Sequence, residues 1–283
     1  MGNYYCLVAG LPDVAFDGGK VHYSVERFCE EIYPQLSSKD ARLVDLFFHS
    51  RDNVNILQML QYGLETELQH KGAYTREQLA EIITAAKEGD KRNGCVPAYM
   101  YDFLEFYFEN VEKGGYMWSD ILSAHYYKYA MSVRNKFLSA WFEYNLNVNN
   151  ILVALLARKY KLNVSECVVG DNAVAEALRA SNARDFGLAG SVDYFDALVR
   201  LSEDDQLHER EHRIDEMRWA WLDENSAFNY FSVEKLYVFL QKLDIMERWA
   251  IMDANKGMEQ YNSMIEELKS GAVFSDAINN ENK

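Results

Sequence analysis

Proline is scarce in this sequence, which has only three among its 283 residues, at Pro12, Pro34 and Pro97. A proline inside a helix removes a hydrogen-bond donor and clashes with the preceding turn, so the long stretches without it permit long helices. Hydrophobic residues make up 49% of the chain and charged residues 26%, which excludes a largely disordered protein. The length is that of roughly two domains or of one extended array of helices.

The sequence also has few cysteines and no long apolar run. The cysteines form no C-x-x-C pair, and we expect reduced, buried thiols at Cys6, Cys29, Cys95 and Cys167. The longest apolar run, Ile151 to Ala157, is too short to cross a bilayer. The opening residues lack the basic region of a signal peptide, and we therefore expect a cytoplasmic protein.

Positive charge is in short supply, because 29 lysines and arginines face 44 aspartates and glutamates, for a formal net charge of -15. Such a chain repels the phosphates of nucleic acids and of anionic membranes. We therefore expect no nucleic acid partner and no direct contact with a membrane. A basic protein partner is compatible with this charge, and so is plain solubility.

The spacing of apolar residues and the capping residues predict an all-α fold, an elongated array of helical repeats with a short extended segment at the N-terminus. The helix after Ser119 would reach about Tyr160, with a bend or break near Asn145 to Asn150 because of its length. Helices are predicted to begin near Ser24, Ser38, Thr75, Pro97, Ser119, Asn172, Ser191, Asp204, Ser232 and Met258.

One short pattern occurs twice in the chain. Residues 52–57, Asp-Asn-Val-Asn-Ile-Leu, resemble residues 147–152, Asn-Val-Asn-Asn-Ile-Leu. Repetition of a helical unit would explain the likeness. We predict a single helical-repeat domain over 1–283, with repeat-like units near 24–115, 116–190 and 191–270.

The run His208-Glu209-Arg210-Glu211-His212 fits the H-E-x-x-H pattern, in which two histidines on one helical face bind zinc and the glutamate acts as base. A catalytic zinc needs a third protein ligand, and no histidine follows His212, so a downstream glutamate would have to serve. The surrounding sequence is dense in charge, which is typical of a solvated helix face. We therefore interpret the pattern as a chance match, expect no metal and no cofactor, and keep a zinc metalloprotease as a remote alternative.

Residues 142–160 resemble a signature of the C subunit of V/A-type ATPases, the counterpart of the eukaryotic d subunit. In that family an Asp/Asn-x-x-Asn pair followed by an apolar residue opens a helix that ends in an Arg-rich turn. Asn147, Asn150 and Arg158 stand at those positions of this sequence.

The resemblance extends to other parts of the chain. Asp52 and Asn55 repeat the Asp/Asn-x-x-Asn pair, and residues 234–249 look like the closing helix of that ATPase component. The opening Tyr-Tyr-x-Leu-Val-Ala-x-Leu-Pro and the later Lys-Leu-Asp-Ile-Met-Glu-Arg-Trp run resemble a bacterial family of uncharacterised proteins. Members of that family are typically encoded among V-type ATPase subunits.

The resemblance implies a funnel of helical repeats that seats the central shaft of the ATPase on the membrane rotor ring without doing chemistry itself. The chain would then be a non-catalytic central-stalk adaptor, held at the inner face of the cell membrane through the complex. Asn55 and Asn150 would stand at helix starts, with amides that satisfy backbone groups, whereas Arg158, Arg248 and Trp249 would serve packing between repeats or partner contact. A helical scaffold for another assembly has the same support in composition and stays open.

Overall fold

The regular elements in the described part of this protein are helices. The structure is a computed structural model that describes residues 4–16 and 23–252, and within these ranges it contains no strand. The predicted all-α fold is therefore confirmed for this part of the chain. The α-helices are α1 Tyr5–Ala9, α2 Val25–Glu31, α3 Ser38–Tyr62, α4 Arg76–Glu88, α5 Ala98–Asn110, α6 Trp118–Met131, α7 Lys136–Lys159, α8 Val164–Cys167, α9 Ala173–Ala180, α10 Phe195–Glu203, α11 Leu207–Ser226 and α12, residues 233–252.

Most helices begin at or near the positions that capping residues in the sequence predict. Ser24 and Asn172 accept hydrogen bonds from the first turns of α2 and α9, which satisfies backbone donors that lack a partner within the helix. Thr75 and Gln78 form a reciprocal capping box at α4. The cap of α3 is Ser37, one residue before the predicted one. None of the helices in the described ranges is both long and apolar enough to cross a membrane.

The N-terminal segment is helical where the sequence predicted an extended one. Tyr5–Ala9 forms a short helix. An isolated extended segment would have no neighbouring strand to satisfy its backbone groups, whereas a helix satisfies its own. Tyr4 anchors the start of this helix, because its backbone N–H donates to Phe231 O at 2.9 Å and its hydroxyl donates to Asp40 Oδ2 at 2.7 Å.

The predicted single helix from Ser119 to Tyr160 is two helices, α6 and α7. The break lies between Met131 and Asn135, whose side chain caps α7 and also donates to Glu234 Oε1 at 2.7 Å. Asn145 to Asn150 lie inside α7, so the break predicted there is wrong. Asparagine disfavours a helix interior when its side chain competes for the local backbone, but most of these side chains bind other elements.

The later helices follow the prediction with shifted starts. α10 begins at Phe195 rather than near Ser191, and α11 begins at Leu207. α12 begins directly after the predicted cap Ser232. The helix predicted over 258–269 and the polar tail lie outside the described residues.

Backbone contacts divide the chain into two compact units. The first comprises Met1–Tyr5 and Leu36–Lys235, and the second comprises Cys6–Gln35 and Leu236–Lys283. In the first unit α6 packs against α3, α5 and α7, and α7 also contacts each helix from α8 to α11. The predicted repeat-like units and the funnel-like outline stay predictions, since compactness does not test them.

The second unit is organised by aromatic contacts between α2 and α12. Phe28 is fully buried, and its ring centroid lies 6.5 Å from that of Phe239, which also lies 5.5 Å from Tyr23. Glu247 Oε1 accepts a hydrogen bond from Val25 N at 2.7 Å. A carboxylate of α12 thus lies at the N-terminal end of α2, where the helix dipole favours negative charge.

Candidate functional site

The two Asp/Asn-x-x-Asn motifs lie in the middle of long helices. Asn55 belongs to α3 and Asn150 to α7, and both side chains are buried. Their predicted position at helix starts is therefore wrong, because Ser37 and Asn135 cap these helices. The motif residues bind instead to partners that follow much later in the sequence.

Each of these asparagines makes two hydrogen bonds with the backbone of a single residue. Asn55 Nδ2 donates to His70 O at 2.8 Å, and Asn55 Oδ1 accepts from His70 N at 3.3 Å. Asn150 Nδ2 donates to Val169 O at 2.7 Å, and its Oδ1 accepts from Val169 N at 2.9 Å. We call Asn55 with His70 the first clamp and Asn150 with Val169 the second clamp. The two side-chain amides satisfy backbone groups, as expected. These backbone groups belong to the connection that follows each helix and not to the helix itself.

The first residue of each motif binds just before the next helix. Asp52 is fully buried, and its oxygens accept from Ala73 N at 3.1 Å and from Tyr74 N at 3.3 Å. In the second copy Asn147 Oδ1 accepts from Asn172 Nδ2 at 2.8 Å. Each motif therefore holds a connection at two places, namely at the clamp and at the start of the following helix.

The spacing of these bonds shows that the two copies share one arrangement. The clamped residue follows its asparagine by 15 positions in the first copy and by 19 in the second. The groups bound by the first motif residue follow it by 21 and 22 positions in the first copy and by 25 in the second. The second connection is thus longer by three or four residues, and the four-residue helix α8 lies within it. The motif that occurs twice in the sequence thus makes the same pair of clamp hydrogen bonds in both copies.

Buried or partly buried ionisable groups surround the first copy. His49 Nδ1 lies 3.3 Å from Asp52 Oδ2, and the His49 ring stacks on Tyr74 with centroids 5.8 Å apart. Burial and then the nearby Asp52 carboxylate raise the pKa of Tyr74 well above its usual value. The same two causes, in the same order, raise the pKa of Tyr99, which donates a hydrogen bond to Asn53. Both phenols therefore stay protonated at neutral pH.

A glycine beside each clamped residue allows the close approach of helix and connection. A Cβ added at Gly72 would overlap the carboxylate of Asp52. Gly170 has φ of +80°, a left-handed conformation that favours glycine, and its Cβ would lie 3.1 Å from Leu146 Cδ2. Neither glycine was predicted to be part of the site, although each follows the clamped residue within two positions.

Arg158, at the end of α7, binds the segment after α9. Its guanidinium donates to the carbonyls of Ala183, Arg184 and Ser181 at 2.6, 3.1 and 2.9 Å. The guanidinium carbon also lies 3.4 Å from the centroid of the Phe186 ring. Burial lowers the pKa of Arg158 from its usual value. These contacts join two parts of the same chain, which is the packing role considered for this residue.

Two of the asparagines near the predicted break connect α7 to α11. Arg218 Nε donates to Asn145 Oδ1 at 3.0 Å, and another guanidinium nitrogen donates to Asn149 Oδ1 at 3.1 Å. The third nitrogen donates to the fully buried Asp215 at 3.0 Å. Arg218 was not predicted either, since its asparagine partners lie 73 and 69 positions away.

The remaining candidates lie on α11 and α12. Trp249 is buried and Arg248 is partly buried on α12. His208 and His212 lie in the first turns of α11, where His212 Nδ1 is 3.5 Å from Glu216 Oε1. Among residues 4–16 and 23–252, no three His, Cys, Asp or Glu side chains are grouped so that they could hold a metal ion.

The chain belongs to the family described as "Protein of unknown function (DUF2764)", which it matches over residues 1–272. This range includes both clamps and all of the described helices. No match to the chain was found among curated proteins or among solved structures.

Proposed function

We propose that this protein is a non-catalytic central-stalk adaptor of a V/A-type ATPase, which couples the rotating shaft to the membrane rotor ring. The observation that carries the proposal is the repeated clamp. The motif residues that carry the resemblance to the ATPase family are the same residues that bind the two connections in equivalent ways. The protein would work in the cytoplasm, at the inner face of the membrane through the complex.

The clamps supply a property that such an adaptor needs. A subunit that transmits torque must resist local bending, and stiffness is lost first where connections between helices open. In each clamp, a buried asparagine side chain makes two hydrogen bonds to the backbone of the connection that follows its helix. Bonds of this kind hold a connection against its helix, because opening them leaves the buried amide of the asparagine without partners.

The charge of the chain supports a basic partner. The net charge of -15 favours encounter with a shaft surface rich in lysine and arginine, and it opposes direct contact with anionic lipid. Affinity for the shaft is therefore expected to fall as ionic strength rises, because salt screens exposed charges. Shaft affinity that does not change over a wide range of salt would contradict this part of the proposal.

The proposal is tested by purification of the tagged protein from its native locus, out of membranes solubilised in mild detergent. We expect catalytic, shaft and rotor-ring subunits of a V-type ATPase to co-purify in stable proportion, as identified by mass spectrometry. An unrelated cytosolic protein with the same tag is the control. Recovery of the chain from the cytosol without these subunits would refute the proposal and leave a helical scaffold for another assembly.

Arg248→Ala, made in the same tagged protein, separates partner contact from packing on α12. Loss of shaft subunits with an unchanged melting temperature would assign Arg248 to the contact surface. A lowered melting temperature with shaft subunits retained would assign it to packing. Trp249 is buried, so Trp249→Ala is expected to lower the melting temperature and serves as the packing reference.

A further inference from the structure

The turn before α5 contains the only Asn-Gly pair in the sequence, at Asn93 and Gly94. Both residues are exposed. In such a pair the backbone nitrogen of the second residue can attack the side-chain amide of the first, because both groups belong to one short segment of chain. Glycine has no side chain to obstruct this approach. The pair therefore has the chemistry of a modification that a chain performs on itself.

The hydrogen bonds of the turn favour this reaction. Val96 N donates to Asn93 O at 3.1 Å and closes the turn, and Cys95 N donates to Asn93 Oδ1 at 3.0 Å. A backbone N–H at Oδ1 stabilises the negative charge that this oxygen gains during attack on its carbon. Within the described residues, neither Gly94 N nor Asn93 Nδ2 makes a hydrogen bond. The attacking nitrogen and the leaving group are thus both free to react.

Asn225 shows the opposite arrangement, although it is exposed as well. It lies in α11, and its Nδ2 donates to Trp221 O at 2.9 Å. The next residue, Ser226, is buried and belongs to the same helix, where backbone nitrogens donate to the preceding turn. Both the leaving group and the attacking nitrogen are therefore engaged at Asn225, which makes this residue an internal reference.

We propose that Asn93 is a site of spontaneous deamidation, at which the folded chain converts this asparagine into aspartate and isoaspartate. Gly94 N forms a bond to Asn93 Cγ and gives up its proton, while the bond from Cγ to Nδ2 breaks and ammonia leaves with that proton. Water then opens the resulting succinimide at either of its carbonyls. One water is consumed and one ammonia released, so the reaction needs no oxidant and no cofactor.

The two products differ in their effect on the turn. Aspartate keeps the backbone, and its carboxylate can accept from Cys95 N as the amide oxygen does. Isoaspartate adds a methylene group to the main chain, which displaces the bond from Val96 N and the bond from Asn93 N to Tyr101 Oη at 3.2 Å. Tyr101 is buried on α5. Isoaspartate is therefore expected to loosen the start of α5 as the protein ages.

The test follows the full chain during incubation at mildly alkaline pH, below its melting temperature, by peptide mapping with mass spectrometry. We expect the peptide that contains Asn93 to gain about one dalton with time, as exchange of an amide for a carboxylic acid requires. Isoaspartate in this peptide is identified through its methylation by an isoaspartyl methyltransferase. The peptide that contains Asn225 should keep its mass, and a sample digested without incubation corrects for deamidation during the digest.

Gly94→Ala is the matched variant, because a Cβ at this position would meet no atom within 4 Å and the backbone φ is not positive. The added methyl group hinders the approach of the backbone nitrogen to Asn93, and we expect deamidation to slow by about tenfold or more. The melting temperature should not fall. Asn93→Asp reproduces one product, so it should show no further change of mass and should melt like the unaltered chain.

Three outcomes would overturn the inference. A synthetic peptide of residues 91–97 is the benchmark, and an unchanged Asn93 in the folded chain after this peptide has reacted would show that the turn protects the side chain. Equal rates in Gly94→Ala and the unaltered chain would exclude attack by Gly94 N. Equal deamidation at Asn225 would show that the turn does not select the site. The inference goes beyond the proposed function and does not depend on it, since none of these measurements involves ATPase subunits.

Discussion

The two clamps make the same pair of hydrogen bonds, but their surroundings differ in charge. In the first copy the motif begins with a buried carboxylate, Asp52, which accepts from two backbone N–H groups and faces His49. In the second copy it begins with a neutral amide, Asn147, which accepts from Asn172. The Asn of the clamp is common to both copies. The clamp asparagine is therefore the part of the motif that both copies share. The first residue of the motif differs between the copies, and so do the donors that it binds.

The ends of the two motif helices differ as well. α3 ends at Tyr62 and is followed by Gly63, whose φ is +104°. α7 ends with Arg158 and Lys159, and Arg158 binds three carbonyls of the segment after α9. Arg158 thus attaches the end of α7 to a later segment, at the position where the resemblance implies an Arg-rich turn.

The largest expected loss of stability comes from replacing the first residue of the first motif, and it should exceed the loss from the same change in the second motif. Asp52→Ala would remove the buried acceptor of two backbone N–H groups and the partner of His49, and we expect it to lower the free energy of unfolding by about 3–4 kcal/mol. Asn147→Ala removes neutral bonds to side chains and should cost about 1–2 kcal/mol. Urea denaturation measures both. Glu81→Ala, an exposed carboxylate on α4, is the control and should change stability by less than about 0.5 kcal/mol. Equal costs for Asp52 and Asn147 would refute the distinction between a charged and a neutral copy.

The second prediction tests whether the clamps are equivalent. Asn55→Ala and Asn150→Ala each remove two bonds to backbone groups, so each should cost about 2–3 kcal/mol. Amide hydrogen exchange should become faster at His70 in the first variant and at Val169 in the second. The exposed Asn225 provides the control substitution, Asn225→Ala, with little expected effect. A much larger cost in one copy than in the other would show that only one clamp stabilises its connection.

The third prediction concerns the glycines beside the clamps. Gly72→Ala should cost about 2 kcal/mol, because the added methyl group displaces the buried carboxylate of Asp52 and with it its hydrogen bonds. Gly170→Ala should cost about 1 kcal/mol, since left-handed backbone and a tight contact oppose a side chain there. Gly94 has open space around it and no positive φ, so Gly94→Ala should be neutral or slightly stabilising. Thermal unfolding of the three variants checks this order, and a neutral Gly72→Ala would contradict it.

The smallest expected effect concerns the attachment that Arg158 makes at the end of α7. Arg158→Lys keeps the charge but cannot reach all three carbonyls, and we expect a loss of about 1 kcal/mol. The exposed neighbour Arg184 provides the control, and Arg184→Lys should have almost no effect. Equal melting temperatures for the two variants would show that the Arg158 contacts contribute little to stability.

Much of the fold was predictable because its signals are local. Ser24, Thr75 and Asn172 start helices where the sequence predicts them, since a capping side chain bonds within its own turn. The start of α3 was off by one residue because two serines, Ser37 and Ser38, stand side by side. The repeat of the Asp/Asn-x-x-Asn motif was also recognisable, because both copies stand as short runs in the chain.

The role of the motif residues was not predictable in the same way. Asn55 and Asn150 were expected at helix starts because asparagine is a good cap, but their bonds reach residues 15 and 19 positions ahead. The break expected near residues 145–150 of α7 did not form, since packing against other helices supports the full length of α7. No local rule identifies Arg218 as the partner of two asparagines there. The exposure of Phe228, Tyr230 and Phe231 between α11 and α12 was not predictable either, because it depends on the burial of each ring in the folded chain.

The sequence by itself determined that the chain is helical, where most helices begin, and that one motif occurs twice. These features depend on spacing and capping within a few residues, and proline scarcity leaves the helices uninterrupted. The tertiary structure alone decided where the α6–α7 break falls, what the buried asparagines bind, and which aromatic side chains remain exposed. These depend on pairs of residues distant in sequence, whose contacts exist only once the helices have packed.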